Sequence, residues 1–404
     1  MSETAVTGTE PAPASPAALR LVDAITSVVP KGGQLHEPEF AGNENKYVAE
    51  CIDTGWVSSV GKYVDRFEEM LTDYTGAAGA VATVNGTAAL HAMLHLAGVR
   101  PGDEVLTPAL CFIAVANAVS QCAATPHFVD IEERSLGVDA DALGRYLDDV
   151  LEIRDGAAVN RLTGRRVGAL LVAHILGHPA DVEALADIAA RHRLPMIEDA
   201  AESLGSTSGG RHTGTFGRIG ALSFNGNKTV TTGGGGAILT TDPELAARAK
   251  HVTTTAKVAH PWEFNHDAIG FNYRMPNINA ALGCAQLERL AEFLADKRAL
   301  AHRYHDAVAP LDGVAAVIEP EGTESNYWLN AVLLSPGNEA LRDEVHTLCH
   351  GRGIMTRSAW MPLPSLPIYA HCPSMPVPVT ESVYRRLIKL PSSPRLLEQT
   401  GGRA

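Results

Sequence analysis

From about Asn43 onward, short apolar runs alternate with segments whose apolar residues recur at helical spacing. Phe67, Met70, Leu71 and Tyr74 fall three or four apart and share one face of a predicted helix, which Gly76 ends. Asp65, with Glu68 three positions later, resembles a capping pair for that helix. Strands are predicted for VATV at 81–84, EVLT at 104–107 and PHFVD at 126–130, with helices from about Thr87 to Leu96 and after Phe112. The runs GALLVAHIL at 168–176 and LPMIEDA at 194–200 lack polar alternation, as strands buried on both faces do. Asp181 opens a helix between them (DVEALADIAARH). GALSF and GGAILTT add two strands, and a helix follows from about Pro243. Strands alternating with amphipathic helices give an α/β fold whose ligand belongs at the C-terminal ends of the parallel strands.

Near Asn277 a long Ala- and Leu-rich helix is predicted to bridge to a second domain. Beyond about 310, short strands mix with Pro-rich turns such as MPLPSLP, a pattern for a smaller α+β unit. The first twenty residues are Pro, Ala, Ser and Thr with few apolar anchors, which predicts a loosely attached arm. The expected division is an arm over 1–40, partly disordered, a large ligand-binding domain over 41–290 and a small C-terminal domain over 291–404. No repeat recurs at a period of 20–50 residues.

Composition narrows the partners. A chain of 404 residues with 45% hydrophobic content buries more than one core. Acidic residues outnumber basic ones 46 to 33, and the net charge of −13 excludes wholesale binding to nucleic acid or an anionic membrane. No run approaches the roughly 20 apolar residues of a membrane helix, and the start lacks a basic region followed by an apolar one, so a cytoplasmic protein is expected. Six cysteines at irregular spacing, without CxxC, point to reduced thiols. Glycine is in surplus, 37 residues against a norm of ~7%.

Three fragments carry the chemistry. In VNGTAALH, Gly86 permits close backbone approach, and Thr87 begins a helix whose free N–H groups suit a phosphate; a plain helix cap reads the same way. In PMIEDAAES, Glu198 and Asp199 end an apolar strand, where a carboxylate either caps the next helix or meets a ligand. In SFNGNKTVTTGGGG, Lys228 lies in a loop between strands, flanked by Ser223, Asn225, Asn227 and the run Gly233 to Gly236. A lone loop lysine is ordinarily a solvated charge, but this composition suits backbone packed against a ligand. Together, a phosphate cradle, a strand-end aspartate and a loop lysine are what pyridoxal 5'-phosphate requires: a Schiff-base partner, a carboxylate that keeps the ring nitrogen protonated, and a phosphate seat. No GxxxxGK[ST] and no post-strand GxGxxG are present, so nucleotide loops of those kinds are excluded.

At these residues the sequence resembles the DegT/StrS-type sugar aminotransferases, fold-type I enzymes that use pyridoxal phosphate. The resemblance runs from about Trp56 to Leu290 through GWVSSVGKYVDRFE, VNGTAALHAMLHLAGV, GDEVLTPALCFIAVANAV, GHPADVEALADIA, IEDAAESLGS, SFNGNKTVTTGGGGAI and GFNYRMPNINAALGCAQL, and recurs near the C-terminus. WVSSVGKYVD, NGNKTVTTGGGG and LPSSP are most similar to the LegC-like branch, which aminates carbon 4 of a UDP-linked 4-keto-6-deoxy sugar. The resemblance implies a seven-stranded, mostly parallel sheet between helices and a smaller α+β domain. It implies that Lys228 forms the Schiff base and shuttles the proton, that Asp199 partners the pyridinium, and that Phe112 stacks on the cofactor ring, where a core Phe is the other reading. Gly86, Thr87 and Ser223 match phosphate ligands. Asn272 matches a residue that reaches the phosphate of the neighbouring subunit, which implies a homodimer with shared active sites. Glu202 stands where relatives carry His or Gln beside the cofactor's 3' oxygen, and its role stays open. Cys111 stands where Thr is common. Tyr327, Trp328, Arg357 and Trp360 fall where relatives bind the nucleotide sugar or a substrate carboxylate; a structural role is the alternative. Relatives that replace the lysine by His are dehydratases, and Lys228 argues against that outcome.

The leading expectation is therefore amino transfer, from L-glutamate, to a keto carbon of a nucleotide-linked sugar. A free keto-cyclitol or keto sugar as acceptor, and a non-catalytic cofactor-binding regulator, are the alternatives. His91 with His95, and His174 with His178, repeat a four-residue spacing, but neither pair has HExxH or a third ligand, and no metal is expected.

Overall fold

The computed structural model describes residues 14–400. Seven strands build the central sheet: β1 (Gly79–Thr83), β2 (Glu104–Pro108), β3 (Thr125–Val129), β4 (Val167–Ala173), β5 (Met196–Asp199), β6 (Gly220–Ser223) and β7 (Gly236–Thr240). Their spatial order is β1-β7-β6-β5-β4-β2-β3, and β7 alone runs antiparallel to its neighbours. Every residue of β4 is buried, as its unbroken apolar run predicts, and every residue of β2 is buried as well, Glu104 and Thr107 included.

Alternation along a strand sends neighbouring side chains to opposite faces, and each face has its own core. Val105, Ala169 and Leu171 pack with Leu90, Met93 and Leu94 on one side, whereas Leu106, Leu170 and Val172 pack with Leu143, Leu147 and Leu185 on the other. This is the doubly covered, mixed but mostly parallel sheet that the resemblance implies, with strand C-termini gathered at one edge.

Helix α1 (Pro16–Val28) is the first described element; α2 spans Lys62–Thr75, α3 spans Gly86–Ala97 and α4 spans Asn277–Leu287. A fifth helix, α5 (Leu290–Val308), carries the chain into a second, antiparallel sheet of β8 (Val314–Ala316), β9 (Asn330–Leu334), β10 (Arg357–Ser358) and β11 (Leu387–Leu390), ordered β8-β9-β11-β10.

Three expectations are corrected. The long helix predicted from Asn277 breaks between Leu287 and Leu290. Asp65 and Glu68 do not cap α2, which already begins at Lys62; Glu68 instead accepts the Ala82 N–H at 2.9 Å and the Lys250 ammonium at 2.6 Å, tying α2 to β1. The expected loose arm holds a helix over Pro16–Val28: Ala18, Leu21, Val22, Ile25 and Val28 form one apolar face buried against Leu300, Tyr304, Val345 and Cys349. Ser15 caps it, its hydroxyl accepting the Ala18 N–H at 3.2 Å, and Pro16 pre-sets its first turn. Residues 1–13 of that arm lie outside the described residues.

Candidate active site

At the C-terminal edge of the parallel strands the two domains enclose a cavity of about 470 Å³. Its floor begins at α3. The Asn85 side chain accepts the Ala88 N–H at 2.8 Å, so the N–H groups of Gly86 and Thr87 in the first turn are left without helical acceptors at the cavity wall. The backbone is tightly drawn here: a Cβ on Gly86 would sit 2.8 Å from the Cβ of Ser223, and one on Gly236 would sit 2.5 Å from the Asn85 carbonyl oxygen. Only glycine lets α3, β6 and β7 meet so closely, and the meeting leaves a cradle of N–H donors and the Ser223 hydroxyl where an anion fits.

Asp199 ends β5 and Lys228 lies in the loop between β6 and β7; both line the cavity. The Ala201 N–H donates to Asp199 at 3.0 Å. Burial pushes the Asp199 carboxyl up from its ordinary range, while that N–H and the charges of Lys228 and His174 pull it back. A half-buried carboxylate short of donors suits a cationic N–H partner. The Lys228 ammonium stands 3.7 Å from Glu202 Oε1 and 3.9 Å from the centre of the Trp328 ring. Glu202 accepts the Leu176 N–H at 2.8 Å. Burial raises its carboxyl too, against the opposing pull of Lys228, that N–H and Lys389.

Gly86, Thr87, Phe112, Asp199, Glu202, Ser223, Lys228, Trp328 and Trp360 all line this one cavity, although they come from both domains. Phe112 is 53% exposed there, which removes the reading of it as a core residue. Tyr327 does not line the cavity. It is buried at φ 45°, its hydroxyl accepting the Glu319 N–H at 3.3 Å and its ring edge-on to His178 with centroids 5.3 Å apart. Arg357 is also outside the lining: it is exposed, and its guanidinium donates to the Thr356 carbonyl at 3.0 Å. Asn272 is exposed, does not line the cavity of its own chain, and accepts from the Arg274 side chain at 2.9 Å.

Leu35 and Lys389 are among the lining residues that the sequence reading does not single out, and Asn227, read there only as a neighbour of Lys228, lines the cavity as well. Asn227 matters through its backbone, whose carbonyl accepts the Trp328 indole N–H at 2.7 Å and so fixes the loop beside Lys228 to the small domain. Lys389 sits on β11 with 6% of its surface exposed, its ammonium 4.1 Å from the Trp360 ring centre. Burial lowers it to about 8, with Glu202 opposing the shift. The sequence signal for it is a lone lysine inside the apolar strand LIKL.

The histidine pairs are packed among aromatic and acidic partners. His91 meets the Tyr273 hydroxyl at 3.0 Å, His95 lies edge-on to Phe271, and His174 meets Glu198 at 3.0 Å. Among the described residues no three His, Cys, Asp or Glu side chains converge as metal ligands, and no helix is long and apolar enough to cross a membrane. All six cysteines are unpaired.

The residues present fit pyridoxal phosphate: a glycine-lined helix end for its phosphate, a half-buried carboxylate for its ring nitrogen, a lysine for its aldehyde and an exposed Phe for its ring face. Similarity to known proteins agrees. The DegT/DnrJ/EryC1/StrS aminotransferase family matches residues 38–401. GDP-perosamine synthase of Vibrio cholerae is 35% identical, covering 90% of this chain and 95% of that protein. UDP-4-amino-4-deoxy-L-arabinose–oxoglutarate aminotransferase of Shewanella sediminis is 30% identical, covering 73% of this chain and 74% of that one. The solved aminotransferase TlmJ from Streptoalloteichus hindustanus superposes with a TM-score of 0.81 at 28% identity, over 91% of this chain and 95% of that one. The chain belongs to the DegT/DnrJ/EryC1/StrS aminotransferase family and is a pyridoxal-phosphate-dependent sugar aminotransferase.

Proposed function

We propose that the enzyme moves an amino group from L-glutamate to carbon 4 of a nucleotide-linked 4-keto-6-deoxy sugar. The observation that carries the reading is the convergence of Lys228, Asp199 and the open N-terminus of α3 on one cavity. When bound, pyridoxal phosphate supplies an electron sink for the carbon that exchanges its amine. The chain does the rest. Gly86, Thr87 and Ser223 would hold the cofactor's phosphate, Asp199 would keep a proton on its ring nitrogen, and Phe112 would cover its ring. Lys228 Nζ would hold the cofactor at its aldehyde, and as a free amine it would carry the proton to and from the reacting carbon. Glu202 places a carboxylate oxygen 3.7 Å from that nitrogen. Trp328 and Trp360 close the small-domain side and exclude water.

Carbon 4 and the glutamate–oxoglutarate couple are supported by the name of the Shewanella sediminis relative, and a nucleotide-linked substrate by both curated names. The sequence resemblance to the LegC-like branch puts UDP first among the nucleotides. The working unit is a homodimer in which Asn272 reaches the neighbouring phosphate site, consistent with its exposure. The test supplies cofactor and L-glutamate and compares UDP-, dTDP- and GDP-linked 4-keto-6-deoxy sugars with free keto-cyclitols by mass of the aminated product. Turnover of one nucleotide-linked sugar at least ~10²-fold above the free acceptors is expected. Preference for a free acceptor overturns the reading.

A further inference from the structure

Besides Lys228, one cation among the described residues lines the cavity: Lys389, contributed by β11 of the small domain. Nearly buried, its ammonium rests against the face of Trp360 at 4.1 Å, and no described residue hydrogen-bonds it. Its register partner on β10 is Arg357, the residue whose type first suggests a carboxylate site; Arg357 lies outside the cavity lining, whereas Lys389 lies in it. Glu202 lies 3.7 Å from the Lys228 ammonium and lines the same cavity as Lys389, whose positive charge it favours.

We propose that Lys389 receives a carboxylate of the amino donor, a positioning role that rests on the reading of the donor as an amino acid. The donor enters as an anion, and Lys228 is committed to the amine exchange, so Lys389 is the cation of this chain's cavity left to pair with it. Burial makes such a pair worth more than one in water, and a buried ammonium with no hydrogen-bond acceptor is poised to take one. Until the donor arrives, Glu202 and the Trp360 ring hold the charge. A nucleotide diphosphate could use the same cation, but the geometry favours the donor. Glu202 favours the charge of Lys389 and lies beside the reacting lysine, and an α-carboxylate hangs one bond from the amine-bearing carbon, whereas a diphosphate sits on carbon 1, across the sugar ring from carbon 4.

The test uses cofactor-loaded full-length protein and glutarate, a dicarboxylate with no amine to react, followed through the visible absorption of the lysine-linked cofactor. Wild type is expected to respond saturably to glutarate. Lys389→Met should weaken glutarate binding and raise the glutamate KM by at least about tenfold, with kcat of the glutamate half-reaction changed far less, and should leave UDP binding as in wild type. Lys389→Arg should retain most of the affinity, and Glu202→Gln, which frees Lys389 from its neighbour, should tighten glutarate; these two variants decide the matter if the Met variant does not fold. Equal glutarate affinity in Lys389→Met and wild type, or loss of UDP binding alone, overturns the proposal. Protein that never develops the lysine-linked absorption contradicts the functional reading instead, so the two failures are distinct.

Discussion

On the sheet side of the cavity, Gly86, Asp199, Ser223 and Lys228 hang from the ends of neighbouring strands and one helix, each fixed by backbone geometry that the sequence prints as motifs. The opposite wall is assembled from Leu35, Trp328, Trp360 and Lys389, brought together from both ends of the chain. Two lysines on that side make the contrast plain. Lys297, on α5, is wholly buried and donates to the carbonyls of Trp328 at 3.1 Å and Ser392 at 2.7 Å. Lys389 is almost as buried and has an aromatic face and a carboxylate neighbour in place of acceptors. Burial and residue type are nearly the same, so they do not separate a structural lysine from one aimed at ligand. What each ammonium can donate to does.

That difference can be attacked from either side. Asp199→Asn strikes the floor: amino transfer should fall on the order of 10²-fold, about 3 kcal/mol of transition-state stabilisation, with thermal stability close to wild type. Rate assays paired with calorimetry check it. Lys297→Met strikes the wall. Two buried carbonyls lose their donor, and stability should fall by about 2 kcal/mol in denaturant unfolding, while the cofactor still reaches Lys228.

An effect confined to acid pH lies beneath the wall, at His178. Both its ring nitrogens are buried without hydrogen-bond partners among the described residues, and burial lowers it to about 4. The unfolded chain takes up this proton near pH 6.5 and the folded chain only near 4, so stability is lost as pH falls through that window. His178→Phe should leave stability at pH 7.5 little changed and recover about 2 kcal/mol at pH 5. Parallel losses in both proteins between pH 6.5 and 4 would assign the acid sensitivity elsewhere.

How much was legible tracks the same divide. The unbroken apolar runs of β4 and β5 announced strands covered on both faces, and the strand-end position of Asp199 followed from them. Gly86 and Lys228 were legible because tight backbone approach demands glycine and small residues nearby. α1 was not, since its apolar face at 18, 21, 22, 25 and 28 is diluted by a Pro- and Ala-rich start, and its burial comes from contact with α5, far along the chain. The break between α4 and α5 falls at Glu288 and Arg289, where the sequence keeps helical spacing and carries neither Gly nor Pro. Tyr327 and Arg357 rest on the resemblance to relatives alone, and neither lines the cavity. Lys389 was hidden because a lysine in an apolar strand declares itself only when the facing domain is in place.

The most direct test of the account is a single-turnover exchange. Wild-type enzyme carrying the lysine-linked cofactor is mixed with L-glutamate, then, freed of amino acid, with a UDP-linked 4-keto-6-deoxy sugar. The account predicts stoichiometric loss of the visible absorption with glutamate, its return with the sugar, and one aminated sugar per site, none of it in Lys228→Ala. Loss of absorption with glutamate but no return with any nucleotide-linked keto sugar would contradict it.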